Sequence, residues 1–178
     1  MKFWFAILFL FGGLMPLTAT AQTLSSPITP ANKDKKWEQI TSFTTIDKGH
    51  TQRQRKLIDD LARRHLGSQI RGNKHSDIAL LQRLLDRGII ARQDTAKLQA
   101  MGVVLGDILA AELKLDWVIY EDETGRNRAL RFGSLSDVLF PITMISRRVE
   151  AGAAVDVAAI FEKAVNSYKP LLPPLPYS

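Results

Sequence analysis

The stretch Trp117-Val118-Ile119-Tyr120-Glu121-Asp122-Glu123-Thr124-Gly125-Arg126-Asn127-Arg128-Ala129-Leu130-Arg131-Phe132 is where the period of the chain changes. Residues 117–120 are aromatic and β-branched, as strands favour. Asp122 to Gly125 supplies turn residues, and Ala129 to Phe132 reads as the returning strand. Ser136 to Phe140 reads as a third short strand. Together they predict a small antiparallel meander over about residues 117–140.

Helical spacing dominates on both sides. Upstream, Leu57, Ile58, Leu61, Ala62 and Leu66 recur three and four apart from near Thr51, and Gly67 stops the run. A second helix is expected with Ser76 as its cap, Ile78, Leu81, Leu84 and Leu85 on its apolar face, and Gly88 as its stop. Asp94 is expected to cap a third, striped by Leu98, Met101, Leu105, Ile108, Leu109 and Leu113. Gly102 and Gly106 lie four apart on that helix, the pattern of a close approach by another element. Downstream, Pro141 stands where a helix can start, with Ile142, Ile145 and Val149 behind it. The last helix follows Asp156 and carries Val157, Ile160, Phe161, Ala164, Val165 and Tyr168 on one face. Three helices, a meander and two helices make an α+β fold rather than a parallel α/β one.

The start of the chain speaks of location. Lys2 precedes an uncharged apolar run, Phe3 to Leu17, and Thr18-Ala19-Thr20-Ala21 ends it with small residues in an A-x-A pattern. This predicts a secretory signal peptide over residues 1–21, cleaved between Ala21 and Gln22. The run is shorter than the roughly 20 residues that span a bilayer. Residues 22–48 are rich in Ser, Thr, Pro and Lys and read as a flexible arm, although Trp37, Ile40, Phe43 and Ile46 could dock. A single domain is expected over 49–168, followed by an extended, proline-rich tail at 169–178.

The formal net charge is +6, and loss of Lys2 would leave about +5, an ordinary value for solubility. The chain has no cysteine. That excludes disulfides, a thiol nucleophile, Cys-based metal sites and the cysteine-linked lipid anchor of bacterial lipoproteins. No later stretch is long and apolar enough to span a bilayer, so a periplasmic or secreted protein is expected.

Segments separated along the chain carry a resemblance. They are Gly102-Val103-Val104-Leu105-Gly106-Asp107, Leu115-Asp116-Trp117-Val118, Glu121-Asp122 with Gly125-Arg126, Ala129-Leu130-Arg131, Leu139-Phe140-Pro141, and Ile145-Ser146-Arg147-Arg148-Val149-Glu150. In this order they resemble a bacterial domain family known only as a domain of unknown function. The resemblance covers roughly Leu80 to Tyr168. The family is common among exported or envelope proteins, and no activity, substrate or catalytic residue comes with it.

Chemistry-bearing patterns are sparse. His50, His65 and His75 form no i, i+4 pair and no HExxH, so no metal site is expected. Glu121, Asp122 and Glu123 make an acidic turn, expected to be solvated and paired with Arg126 or Arg128. No G-x-S-x-G surrounds Ser134, Ser136 or Ser146, and no phosphate-binding glycine loop is present, so no cofactor is expected. The basic run from Arg53 to Lys74, with Arg63 and Arg64 at its centre, could meet an anionic envelope component. Export and the shortage of interleaved aromatics argue against nucleic acid. The helix after Pro141 could receive an anion at its first N–H groups, with Trp117, Arg131 and Arg147 nearby.

Two functions are compatible with these features. One is a non-enzymatic, exported module that binds an envelope protein or an anionic envelope component, through the basic first helix or the proline tail. The other is an enzyme acting on a small molecule, its site assembled from Asp107, Trp117, Asp122, Arg131 and Arg147. A concave pocket holding at least two of those carboxylate or guanidinium groups, partly buried, would favour the second, and polar heads scattered over the surface would count against it.

Overall fold

The computed structural model describes residues 37–173. The expected leader, its cleavage point at Ala21 and Gln22, residues 22–36 of the expected arm and residues 174–178 of the expected tail lie outside the described residues. The described chain is α+β. Strand β1 (Glu38–Ser42) is followed by helices α1 (Thr45–Leu66), α2 (Lys74–Asp86) and α3 (Thr95–Leu113). A hairpin of β2 (Asp116–Asp122) and β3 (Gly125–Arg131) follows, then the two-residue β4 (Val138–Leu139), α4 (Ile142–Glu150) and α5 (Val157–Tyr168). The sheet order is β1-β2-β3-β4, antiparallel throughout.

Four of the helix starts are fixed by side chains. Asp94 accepts from the Lys97 amide and Asp156 from the Ala159 amide, as their positions before apolar runs predict. Asn73, not Ser76, caps α2, because its side chain accepts from the Ser76 amide three residues on. The first helix starts at Thr45 rather than near Thr51. Thr44 and Asp47 cap each other reciprocally, well ahead of the apolar stripe that begins at Leu57.

The expected arm is therefore shorter than 22–48. Its residues 38–48 contain β1 and the first turn of α1. An edge strand buries little, and in β1 only Ile40 is half-buried, so its polar composition resembled a loop. Phe43 fastens the strand's end by stacking on Trp117, with ring centroids 5.8 Å apart. At the other end, Lys169–Leu171 makes a 3₁₀ turn where an extended tail was expected, and Leu172 packs on the core.

Helix α3 is the axis of the core. Leu98, Met101, Leu105 and Leu109 are fully buried, together with Ile58, Leu81, Leu84, Leu130, Ile145 and Phe161 from the surrounding elements. Each such side chain contributes roughly 1.5–3 kcal/mol before chain entropy opposes it. The two α3 glycines do what their spacing implies. A Cβ on Gly102 would lie 2.6 Å from the carbonyl carbon of Ile142, and one on Gly106 would lie 2.6 Å from the Trp117 ring and 2.8 Å from Pro141 Cγ. The absent side chains bring the hairpin and the start of α4 onto the α3 backbone. No helix among the described residues is long and apolar enough to cross a membrane.

Candidate functional site

The sheet face that meets α1 carries charge. Strand alternation puts Arg126 and Arg128 on one side of β3, across from Glu121 and Ile119 of β2. Both arginines reach Asp47 in the first turn of α1. Arg126 donates through Nη1 to Oδ1 at 3.0 Å and through Nη2 to Oδ2 at 2.8 Å, and Arg128 Nη2 lies 3.2 Å from Oδ1. Thr44 adds its hydroxyl at 2.6 Å. Asp47 is 1 % exposed. The Arg126 guanidinium holds its carboxyl well below the usual carboxylate range. Burial opposes this and the Thr44 bonds reinforce it. Nearby His50 is pushed down, by burial first and then by Arg128 and Arg53.

Beyond this cluster the hairpin and the start of α4 enclose a polar cleft of about 370 Å³. Tyr120 and Asp122 come from β2, Arg126, Asn127 and Arg128 from β3, and Gln99 from α3. Phe140, Ile142, Thr143 and Arg147 complete the wall. The Tyr120 and Phe140 rings meet edge to face at 5.3 Å. Asp122 accepts from the Thr124 amide at 2.8 Å and hydroxyl at 2.6 Å, a local turn bond. The acidic turn was expected to pair with Arg126 or Arg128; both arginines bond buried Asp47, and Glu121, across from Arg126, adds a further attraction to it. The Arg147 side chain has no hydrogen-bond or ion-pair partner among the described residues. Pro141, the cap of α4, supplies no side-chain bond to the first turn.

A larger groove of about 520 Å³ runs between α1, the start of α2 and α3. Except for Lys56, its charges are closed on one another among the described residues. Arg55 grips Asp107 with two nitrogens, Nη2 to Oδ1 at 2.7 Å, and the Trp117 indole donates to the same oxygen at 3.0 Å. Lys74 meets Glu112 at 3.0 Å. Asp59 accepts from Arg63 at 2.6 Å and from the Ile70 amide at 2.8 Å. Buried Asp77 accepts the Gly72 amide at 2.7 Å and the Arg71 amide at 3.0 Å.

The residues singled out in the sequence thus fall in several places. Asp107 and Trp117 are bonded to each other at the larger groove. Asp122 and Arg147 line the hairpin–α4 cleft. Arg131 lies at the far end of β3, where its Nε donates to the Leu135 carbonyl. Arg63 is tied to Asp59, and Arg64 donates to the Asp60 carbonyl at 3.2 Å, both on the exposed side of α1. Asp47, Arg126 and Arg128 were not assembled by sequence reading. One signal was available: Thr44-x-x-Asp47 ahead of an apolar run is a capping pattern that marks the true helix start. Among the described residues no group of three or more His, Asp or Glu side chains is placed to hold a metal.

Comparison with known proteins agrees with this picture of the fold. Residues 77–161 match the family described as a domain of unknown function, DUF3806. The match runs from the first turn of α2 into α5 and includes the hairpin arginines, while Asp47 lies before it. A crystal structure of a protein from Bacteroides thetaiotaomicron VPI-5482 shares the fold, with a TM-score of 0.67 at 16 % identity over 77 % of this chain and 51 % of that one. The chain thus spans about half the length of that protein. Among curated proteins, none matches.

Proposed function

We propose that the protein is an exported binding module of the bacterial envelope that captures an anionic envelope component in the hairpin–α4 cleft without turning it over. The carrying observation is Arg147. It lines a concave polar site beside Arg126 and Arg128, and no carboxylate of the described chain satisfies it. An unpaired guanidinium on a rigid wall is a ready donor to an anion. Of the residues weighed for an enzyme site, Asp122 and Arg147 share the cleft, but Arg147 is exposed, and Asp107, Trp117 and Arg131 lie elsewhere; this supports binding over catalysis, since acid–base work needs partly buried groups within hydrogen-bond reach of one substrate. The leader-like residues 1–21 support export to the periplasm or beyond.

The test uses protein expressed with its own N-terminus and recovered from the periplasmic fraction. Its first residue is expected to be Gln22; recovery only in the cytoplasm with Met1 intact would overturn export. Mixed with a washed envelope fraction, the protein should sediment with it at low salt and be released at high salt, where exposed charges are screened. Arg147→Glu should stay in the supernatant. Equal sedimentation of both proteins would remove the cleft from the binding role.

A further inference from the structure

Resting on that reading, we infer that Asp47 is the positioning residue of the hairpin–α4 cleft. From behind the wall it occupies Arg126 and Arg128 as a built-in counter-anion, and so leaves Arg147 as the cation that meets the ligand. Asp47 itself does not line the cleft, whereas all three arginines do. It is buried, yet the two guanidinium groups it holds are partly exposed. Its carboxylate cannot turn away, because the Thr44 hydroxyl and the first turn of α1 fix it as half of a capping box. Arg126 gives it both terminal nitrogens, the two-pronged contact that is the strong form of this bond. Glu121, across the hairpin, attracts Arg126 more weakly, through charge alone.

Arg128 shows that the placement is imposed. Its Nη2 lies 3.2 Å from Asp47, while its Nε is buried with no hydrogen-bond partner among the described residues. A buried donor without an acceptor costs free energy. The Asp47 contact therefore holds this side chain where it would not otherwise rest. The three arginines lie inside the family-matched segment, residues 77–161, and Asp47 lies before it. That segment supplies the cleft, and the start of α1 sets which of its cations is open.

Modification of arginines with phenylglyoxal, followed residue by residue by peptide mass spectrometry, tests the placement. The reagent closes on the two terminal nitrogens of a guanidinium, and in Arg126 Asp47 engages both. In the wild-type protein Arg147 should react about ten-fold faster than Arg126 and Arg128. In folded Asp47→Asn that gap should close, and Asp47→Glu, which keeps the charge, should reopen it in part. The wild-type comparison needs no variant: equal reactivity of the three arginines overturns the inference. Retention by the washed envelope fraction gives a readout that a merely structural Asp47 would not move. Folded Asp47→Asn, with two more open cations, should need about twice the salt for release. In that background Arg147→Glu should keep some of the retention that it loses alone. Release at the wild-type salt, or continued protection of Arg126 and Arg128 in Asp47→Asn, overturns the inference. If the modification pattern is as expected but the envelope fraction retains neither protein, the envelope reading fails and the placement of the arginines by Asp47 stands.

Discussion

The turn Pro141–Thr143 has two sides, and they are built in opposite ways. Toward α3 there is no room: the backbone of Ile142 lies against Gly102, and Pro141 with the Trp117 ring lies against Gly106. On the other side Ile142 and Thr143 face the polar cleft that also holds Arg147. The back is apolar, close-packed and specified by missing side chains. The front is concave, charged and incompletely paired. A binding wall keeps its shape when the elements behind it cannot shift, and close packing supplies that rigidity without any polar group.

The comparison breaks most severely from the back. In an exposed helix interior Gly→Ala stabilises by up to about 1 kcal/mol. At Gly102 the added methyl would strike main-chain atoms of Ile142, which cannot rotate away. Gly102→Ala should therefore destabilise by about 3 kcal/mol or more, the upper range for overpacking a filled site. A denaturant midpoint that rises would show that the seam is loose.

The front's own support comes next. Asp47→Asn removes the buried charge that Arg126 and Arg128 share, and should cost about 3 kcal/mol at neutral pH, the low end for breaking a buried ion pair because Arg126 is partly solvated. Acid titration gives a second reading. Asp47 has a carboxyl held below its ordinary pKa, so its contribution is present above about pH 4 and is lost as pH falls through the folded-state value. Wild type and Asp47→Asn should thus converge in stability as pH drops below about 4. His50 acts earlier. Its folded pKa is lowered, so the unfolded chain takes up the proton first and stability declines as pH falls below about 6.5. His50→Gln should flatten that part of the curve. Parallel pH profiles for wild type and Asp47→Asn would show that the arginines do not depend on Asp47.

Between the two sides stands Trp117. Its ring covers Gly106, while its indole donates to Asp107, which Arg55 also holds. Trp117→Phe keeps most of the ring and loses the donor, for an expected cost of about 1 kcal/mol. A much larger loss would mean that the ring's full area, rather than the hydrogen bond, holds the hairpin on α3.

How legible each side was follows from the range of its causes. The glycine spacing on α3, the caps Asp94 and Asp156, and the change to strand pattern at Trp117 are local signals, and they placed most elements of the α+β fold. The close approach at Gly102 and Gly106 was readable because four-residue spacing has one geometric meaning on a helix. Strand β1 was missed because an edge strand with one half-buried residue carries almost no alternation. The Asp47–Arg126 pair joins residues 79 apart in sequence, and nothing local in either segment names the other. Asp122 and Arg147 do share a cleft, while Arg131 serves a loop carbonyl. The polar groups could be counted from sequence, but their partners depended on how α1 meets the sheet.

The smallest expected effect is the most diagnostic. The Arg147 side chain is exposed and makes no bond that folding could lose, so Arg147→Ala should change unfolding free energy by no more than about 0.5 kcal/mol. It should even help slightly if Arg126 and Arg128 repel it across the cleft, an effect that salt would screen. A residue that costs nothing to remove from the fold, yet whose loss abolishes retention by the envelope fraction, is held in place for something outside the fold. Should Arg147→Ala instead destabilise by 2 kcal/mol or more, comparable to a buried ion pair, the guanidinium would be a structural brace, and the two sides of the Pro141 turn would differ in polarity but not in purpose.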